Sequence, residues 1–526
     1  YALRADRVAA GPLLSVAALS DRLTPSLRRW LLASRPEVEL RDVQLAGISG
    51  GVLRVQAGVR DARFAAVGKS PGLSGLSGAL DGDGDGVTFA FDNSATLGFD
   101  WPPGFGVPHD VRLDGRVVGW RDGGGLRIET SGLRMQGIDY AAEMRGGLAF
   151  QGDGTRPSID LAVRVDDAEV AAAQRFWVRN AMSAGTVRWL ERGLVSGRVR
   201  DGRAIVSGDL DDWPFRVQSG AASKGVFHAA ARLRDAQIKF LKDWPAAEHI
   251  DADIDFIGHG FTLKGRGAIA GIALPQLTGG IADFRIGELA VSADADTDAA
   301  ALLRMLRQTP LRQRYAATLD ALAASGPATA RVAIDVPLRI KPVVAVIDGR
   351  IALGGAKLAE NRAKVAFDDV YGDIAFDRSG FDATGLRTRH DGQPGLLSLR
   401  SGAGHVRDAT QAFEAELDAP LSAGELIDRA PHLAWLKGYF SGRSPWHVGV
   451  SIPKSPAVIA STTTTTTTTT PATATRLRLR SMLVGTRSDL PAPLRKPAAT
   501  PLATSVDTVL PFAGGEVAVA FGERLA

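Results

Sequence analysis

Four aspartates near residue 80 have the spacing of a calcium-binding loop. They are Asp81, Asp83, Asp85 and Asp92. Calcium prefers several carboxylate oxygens, and Gly86 would allow the sharp turn between them. However, apolar residues alternate directly afterwards at Val87, Phe89 and Phe91, which is typical of a β-strand and not of a helix leaving such a loop. We therefore favour an acidic turn between strands and keep calcium as the alternative.

Ser49 lies in the glycine pattern that surrounds the nucleophile of many serine hydrolases, Gly47-Ile48-Ser49-Gly50-Gly51. That chemistry needs a buried strand before the serine and a helix after it, together with a histidine and an acid. Here Val52, Leu53 and Val55 follow, and their alternation predicts a strand. A simple turn is therefore favoured, and a serine esterase remains a further hypothesis. The pattern of residues indicates no enzyme, cofactor or bound metal.

Composition excludes several other classes of protein. The 526 residues include 60 Gly, 27 Pro and no Cys, so the chain holds no disulfide and no thiolate metal site. With 45% hydrophobic residues it is not a disordered chain. Its net charge of +4 comes from 62 basic and 58 acidic residues without a dense basic run, so a nucleic-acid partner is not expected.

Most of the chain alternates between apolar and polar residues, as β-strands with one dry face do. The apolar positions of three such runs are Ile159, Leu161 and Val163; Ile250, Ile254 and Phe256; and Val365 and Phe367. Asp122-Gly123 and Asp348-Gly349 predict turns between strands. Alternation sustained over hundreds of residues predicts a mainly β protein built on long antiparallel sheet.

Helices are predicted only as inserts, at about 20–35, 167–194, 298–324 and 423–439. In the first, Thr24 can cap a helix that has Pro25 in its first turn. We divide the chain into two β-rich units, 1–216 and 217–460, followed by a low-complexity linker at 461–475. The linker contains nine consecutive threonines, Thr462 to Thr470, and a further, truncated β unit is expected at 476–526.

Several segments, taken in chain order, resemble the YhdP family of AsmA-like bacterial envelope proteins. The matching residues are Trp189-Leu190 with Gly193 and Gly197; Gly208-Asp209-Leu210 before Trp213-Pro214-Phe215; Thr309-Pro310-Leu311; Gly326 before Val336-Pro337-Leu338; Val370-Tyr371-Gly372-Asp373-Ile374-Ala375-Phe376; Gly442, Ser444 and Trp446; and Ser481, Leu483, Gly485, Leu490, Pro491, Pro493, Leu494 and Lys496. The threonine tract departs from the family pattern. The chain resembles a central fragment of such a protein.

The resemblance implies a long twisted sheet that is curled into an elongated hydrophobic groove. It implies that phospholipid acyl chains are the partners and that the protein moves phospholipid between the inner and outer membranes. It also implies a periplasmic location in a Gram-negative bacterium, a role in outer-membrane integrity, and an inner-membrane anchor or partner through an N-terminal part absent from this sequence. A partner at the outer-membrane side is expected but not identified.

We predict that the eight apolar positions of the three runs named above face the groove. The same residues would also suit the core of an ordinary β-sandwich. A structural or adhesion-type β-repeat scaffold of the envelope, stabilised by calcium at Asp81 to Asp92, is the alternative function.

Overall fold

A computed structural model describes most of the chain. The described residues are 1–21, 23–153, 155–177, 179, 182–213, 215, 225–310, 312, 316, 319–340, 343–428, 431–454, 474–510 and 517–522. The threonine tract predicted to be a linker lies outside them, as do parts of the inserts predicted at 167–194, 298–324 and 423–439.

Strands make up most of the described chain. In chain order, β1 to β28 are Ala2–Ala9, Glu37–Gly47, Leu53–Phe64, Gly72–Gly82, Gly86–Phe91, Leu97–Asp100, His109–Asp122, Gly125–Gln136, Tyr140–Phe150, Ser158–Glu169, Leu194–Asp209, Gly225–Ile238, Ala247–Ile257, Gly260–Ile269, Ile272–Ile281, Glu288–Asp298, Leu322–Ser325, Pro327–Pro337, Val346–Glu360, Val365–Asp377, Gly380–His390, Gln393–Gly402, Gln411–Ser422, Phe440–Pro453, Thr475–Ser481, Thr486–Ser488, Thr504–Leu510 and Val517–Phe521. They belong to one 28-stranded sheet, in which the recorded strand pairs are antiparallel. The predicted fold class, a long antiparallel sheet with few helices, is confirmed.

Strands pair mainly with their neighbours in sequence. From β1 to β14 each strand pairs with the next, except that β5 and β6 both lie between β4 and β7. From β19 to β25 the order is again sequential, while β26 pairs with β24 and β27 pairs with β25. Such local pairing follows from the short turns between strands, since antiparallel strands need no crossover.

The chain forms two compact units. The first comprises 1–270, 275–291 and 335–344, and the second comprises 271–274, 292–334 and 345–526. Within the first unit β11 pairs with β12, on either side of residue 216. Within the second unit β25 pairs with β24. The division predicted from the sequence, at 216, 460 and 475, stays a prediction.

Short helices interrupt the sheet. The α-helices α1 to α5 are Ala10–Ala17, Pro25–Ser34, Ala184–Gly193, Ala299–Leu306 and Ala423–Asp428, and 3₁₀ helices cover Val170–Phe176, Leu210–Asp212 and Pro431–Tyr439. The Thr24 hydroxyl accepts a hydrogen bond from the Leu27 amide at 3.4 Å and so caps α2. Ser183 caps α3 in the same way, through the Thr186 amide at 3.1 Å. Among the described residues, no helix combines the length and the apolar character that crossing a membrane requires.

Bulges break the strict alternation of many strands. At several register shifts an aspartate takes a left-handed backbone conformation, as at Asp42 (φ 51°) and Asp235 (φ 48°). Each bulge inserts one residue without a partner. Leu40 and Val43 are three positions apart and would face opposite sides of a regular strand, but the extra residue between them lets both face the apolar side of the sheet. Aspartate tolerates this conformation better than most residues do. The bulges also increase the local twist of the strands.

One predicted turn is wrong and another is confirmed. Gly123, with φ 60°, lies in the tight turn that joins β7 and β8, as expected at Asp122-Gly123. Asp348-Gly349, by contrast, lies inside β19, where Gly349 pairs with Phe376. A side chain at 349 would begin 2.0 Å from the Phe376 ring. This glycine is therefore required by the close approach of a ring from the next strand, which the local sequence does not reveal.

Asp377, at the turn between β20 and β21, should make the stability of the second unit sensitive to acid. Burial opposes ionisation of Asp377, but hydrogen bonds from the Ser379 side chain, His405 and the amides of Ser379 and Gly380 outweigh it and lower the pKa of Asp377 to about 2. The ordinary pKa of an aspartate is about 4, so the stabilisation is complete above that pH and is lost as the pH falls through about 2. We expect Asp377→Asn to lower the melting temperature of the second unit at about pH 6 and to have little effect near pH 2. An equal effect at both pH values would contradict this.

Candidate functional site

The three candidate residues of β10 lie on one face of the first unit. Ile159, Leu161 and Val163 are half-buried, whereas the residues between them, Asp160 and Ala162, are exposed. In register, Leu161 lies between Gly146 and Val206. Alternation along this strand therefore places the three apolar side chains on a common side of the sheet.

The candidates of β13 differ from one another in burial. Ile254 and Phe256 are half-buried, but Ile250 is fully buried, with 0% of its surface exposed. Phe256 stacks with Phe261 and Phe284, with ring centroids 5.5 and 6.3 Å away. Ile250 thus occupies a filled core in this structure, while Ile254 and Phe256 lie on a partly open surface.

Val365 and Phe367 lie in the second unit, on β20, and both are half-buried. Phe367 pairs with Leu358 and packs against a buried cluster that includes Leu417 and Trp446. Its ring also lies 5.4 Å from His390. Phe367 is therefore held by its own unit's core on one side.

A row of paired residues without a single polar side chain crosses the first unit. We call it the apolar row, and it consists of Leu3, Leu45, Val55, Gly82, Val87, Gly119, Ile128, Leu148, Ile159, Gly208 and Gly225. It runs from β1 to β12 and omits only β6. Paired residues point to the same face of a sheet, so these side chains form one continuous apolar surface.

A second row runs beside the apolar row. It consists of Gly115, Leu133, Met144, Val163, Ala204, Ala229, Phe256 and Phe261. Pairing across the strands thus joins two of the predicted residues, Val163 and Phe256, although they are far apart in sequence. The predicted face of β10 and that of β13 belong to one surface.

This apolar surface is only partly covered. Leu45, Val55 and Ile128 of the apolar row are half-buried, and Leu3 is 58% exposed. Leu126 and Phe150, which pair beside the row, are 43% and 38% exposed. Towards the ends of β7 to β10 that lie near the 3₁₀ helix Val170–Phe176, the face is instead a filled core; this core contains Val111, Leu113, Leu133, Tyr140, Ala168 and Ala172. The surface is therefore covered at these ends of β7 to β10 and partly open at the opposite ends, where Leu126 and Phe150 lie.

The opposite face carries charges arranged in ion pairs. Arg232 lies 3.0 Å from Asp201, and Arg266 lies 3.3 Å from Asp251. The Arg198 guanidinium binds the Asp167 carboxylate and lowers its pKa. Such exposed pairs contribute little to stability, but they keep this face hydrated. Of the two faces described for the first unit, the apolar face is the one suited to hydrocarbon.

Reasoning along single strands did not assign the glycines of the apolar row, or the exposed residues Leu3, Val87, Leu126 and Phe150, to the candidate surface. Gly82, Gly119 and Gly208 add no apolar side chain of their own, so no apolar pattern marks them. These glycines can be identified only from the residues that they pair with on the neighbouring strands, so the pairing of the strands must be known first.

The four aspartates near residue 80 do not form a shared site. Asp83 accepts hydrogen bonds from the amides of Asp85 and Gly86 at 2.9 and 3.0 Å, which lowers its pKa. Asp81 binds the side chain of Gln56, and Asp92 accepts from Ser94 in the next turn. Within the described part of the chain, no group of three or more His, Asp or Glu side chains is arranged to hold a metal ion.

We therefore expect calcium to leave the protein's stability unchanged. The Asp83 carboxylate already binds the backbone of its own turn, and a metal would have to compete with those amides. The melting temperature with calcium should match that with a chelator to within about 1 °C. A calcium-dependent rise that disappears in both Asp83→Ala and Asp85→Ala would restore the calcium site.

Ser49 lies in the hairpin turn between β2 and β3. The Gly51 amide bonds to the Ile48 carbonyl at 3.0 Å, and Gly50 has φ 76°. The chain continues into a strand and not into the helix that a hydrolase nucleophile requires. The turn predicted for this segment is confirmed.

Comparison with known proteins places the whole chain in one family. The family model described as "YhdP protein" matches residues 1–526. The chain is 23% identical over 519 residues to the "Intermembrane phospholipid transporter YhdP" of Escherichia coli (strain K12). That alignment covers 96% of this chain and 38% of the relative, so the chain spans well under half the length of that protein. No solved structure was found to match. The chain belongs to the YhdP family, in agreement with the resemblance seen in its sequence.

Proposed function

We propose that this chain is a segment of a periplasmic lipid conduit, in which phospholipid acyl chains move along the apolar face of the sheet. The observation that supports this most directly is the apolar row, which continues across β1 to β12 without a polar side chain. The similar protein of Escherichia coli is named as an intermembrane phospholipid transporter.

The energetic reason for such a surface is the cost of exposing hydrocarbon to water. A chain of about sixteen carbons in water costs about 12 kcal/mol, at roughly 0.8 kcal/mol per methylene. A continuous apolar surface removes most of that barrier while the headgroup stays hydrated. No specific polar pocket is needed for this task, and the partly open edge of the face gives the headgroup access to water.

The proposal extends to the protein's place in the cell. We infer a segment in the periplasm of a Gram-negative bacterium, anchored to the inner membrane by another part of the protein and delivering phospholipid towards the outer membrane. Support for the outer-membrane barrier would follow from that delivery. The role is one of transport and not of catalysis.

Native mass spectrometry of the full-length protein, purified in mild detergent, tests the proposal. We expect bound species with the masses of phospholipids, released at high collision energy. Protein that carries no lipid, after purification from membranes that contain it, would overturn the proposal. It would then favour the alternative in which the sheet serves as an envelope scaffold.

A further inference from the structure

In the first unit, hydrogen bonds join the two ends of helix α3 to segments that lie at opposite ends of the strands. At its N-terminal end, the Thr186 hydroxyl donates to the Phe284 carbonyl at 3.3 Å, and the Ser183 amide donates to the same carbonyl at 3.4 Å. At its other end, the Trp189 indole donates to the Phe240 carbonyl at 3.0 Å. The Gly193 carbonyl accepts from the amide of Lys239 at 2.8 Å.

These two anchoring points lie at opposite ends of the strands. Lys239 and Phe240 follow the C-terminal end of β12. The Phe284 amide bonds to His259, in the turn where β13 ends. Because β12 and β13 are antiparallel, the C-terminal end of one lies beside the N-terminal end of the other, and their two C-terminal ends lie on opposite sides of the strand length. Helix α3 therefore runs over the sheet from the segment at one end of these strands towards the segment at the other end.

The side of α3 that faces the sheet is apolar. Val187, Trp189 and Leu190 are buried, together with Thr186 and Gly193. The charged face of β12 and β13 is exposed and holds ion pairs such as Arg232 with Asp201, so α3 covers the apolar face. In these strands and the neighbouring β15 and β16, Ile250 and Ile281 are 0% exposed and Leu289 is 1% exposed. The apolar row, in contrast, is partly open.

Close backbone packing at the N-terminal end fits α3 to this position. A Cβ on Gly185 would lie 1.8 Å from the Leu338 carbonyl oxygen, so only glycine lets the helix approach. Gly287 lies under the same turn, where a Cβ would be 2.8 Å from the Thr186 hydroxyl. These two glycines therefore define where the N-terminal turn of α3 lies on the sheet.

We propose that α3 is a displaceable cover, which occupies the apolar face at β13 to β15 in place of acyl chains. Its valine, tryptophan and leucine side chains present the same kind of surface to the sheet that hydrocarbon does, so exchanging one for the other keeps the face dry. Lipid then enters this section only when α3 leaves its seat. This inference rests on the proposed function and adds a closed state to it.

A reversible disulfide tests the cover. Thr186→Cys combined with Gly287→Cys places two thiols in positions suited to a bond between helix and sheet, and the chain has no other cysteine. The full-length variant is mixed, oxidised or reduced, with vesicles of phosphatidylethanolamine that carries a photoreactive diazirine in one acyl chain. After illumination, the adducts are mapped to peptides by mass spectrometry, with both single-cysteine variants as controls.

We expect adducts on β13 to β15 to fall about fivefold in the oxidised protein, while adducts on β8 to β10 stay unchanged. The proposed cover would be overturned if β13 to β15 were labelled equally in the two redox states, and also if they carried no adducts in either state. Absence of adducts on β8 to β10 in both states would instead reject the lipid conduit itself. The two failures are therefore distinguishable.

A second variant avoids the strain of a cysteine at Gly287, whose φ is 65°. Thr186→Val removes the hydroxyl that binds the Phe284 carbonyl but keeps the size of the side chain. We expect this variant to increase adducts on β13 to β15 without changing those on β8 to β10. Unchanged labelling of β13 to β15 in a protein that folds normally would count against the cover.

Discussion

Val163→Asp should reduce the phospholipid that co-purifies with the full-length protein roughly tenfold, which corresponds to a loss of about 1.4 kcal/mol in binding free energy. Val163 lies in the second row of the apolar face, between Met144 and Ala204. A carboxylate there must either lose its hydration when hydrocarbon passes or keep water on the surface, and both outcomes oppose lipid. Quantitative mass spectrometry of extracted lipid, per mole of folded protein, measures the effect.

Ala162→Asp is the matched control. Ala162 is the next residue of the same strand, is exposed, and points to the opposite face between Arg145 and Ile205. The control adds the same charge to the same strand, and its lipid content should equal that of the unchanged protein. If both variants lost lipid equally, the effect would come from strand stability and the apolar face would not be the path.

Lys496→Met should destabilise the last part of the second unit by about 2 kcal/mol, because it removes the hydrogen bonds that a buried ammonium donates to three backbone carbonyls. Lys496 is only 5% exposed, and burial lowers its pKa. Its ammonium donates to the carbonyls of Leu483 and Pro497 at 2.8 and 3.2 Å, and to that of Thr486. The lysine thereby ties the segment after β25 to the strand β26.

Hydrogen exchange of residues 483–497 measures this loss, because it reports the opening of one segment within a large protein. Lys454→Met provides the control, since Lys454 is exposed and binds one carbonyl, that of Ala409, at 2.7 Å. We expect faster exchange around β26 in Lys496→Met and no change there in Lys454→Met. Unaltered exchange in Lys496→Met would mean that the buried ammonium contributes no net stability.

The same segment contains several of the residues on which the resemblance to the family was based. Ser481 donates to the Pro445 carbonyl at 2.7 Å, and Thr486 donates to Ser444 at 3.0 Å, all in buried surroundings. Buried hydroxyl and ammonium groups need specific partners, so these residue types are tied to their positions. These hydrogen bonds give the residues of this segment a role in supporting the fold.

Sequence alone was sufficient for those features that depend on residues close together in the chain. The alternation of Ile159, Leu161 and Val163 with exposed neighbours is a local property of a strand and predicted the β class and the apolar face of β10. The cap of α2 at Thr24 and the turn at Gly123 are equally local, since each depends on a few consecutive residues.

Tertiary structure decided which residues share a surface and which of them are covered. Alternation treated Ile250 and Ile254 alike, but the folded chain buries Ile250 completely and leaves Ile254 partly open. The glycines of the apolar row and the seat of α3 depend on partners far along the chain. Register and coverage are properties of pairs of segments, so no pattern within a single strand contains them.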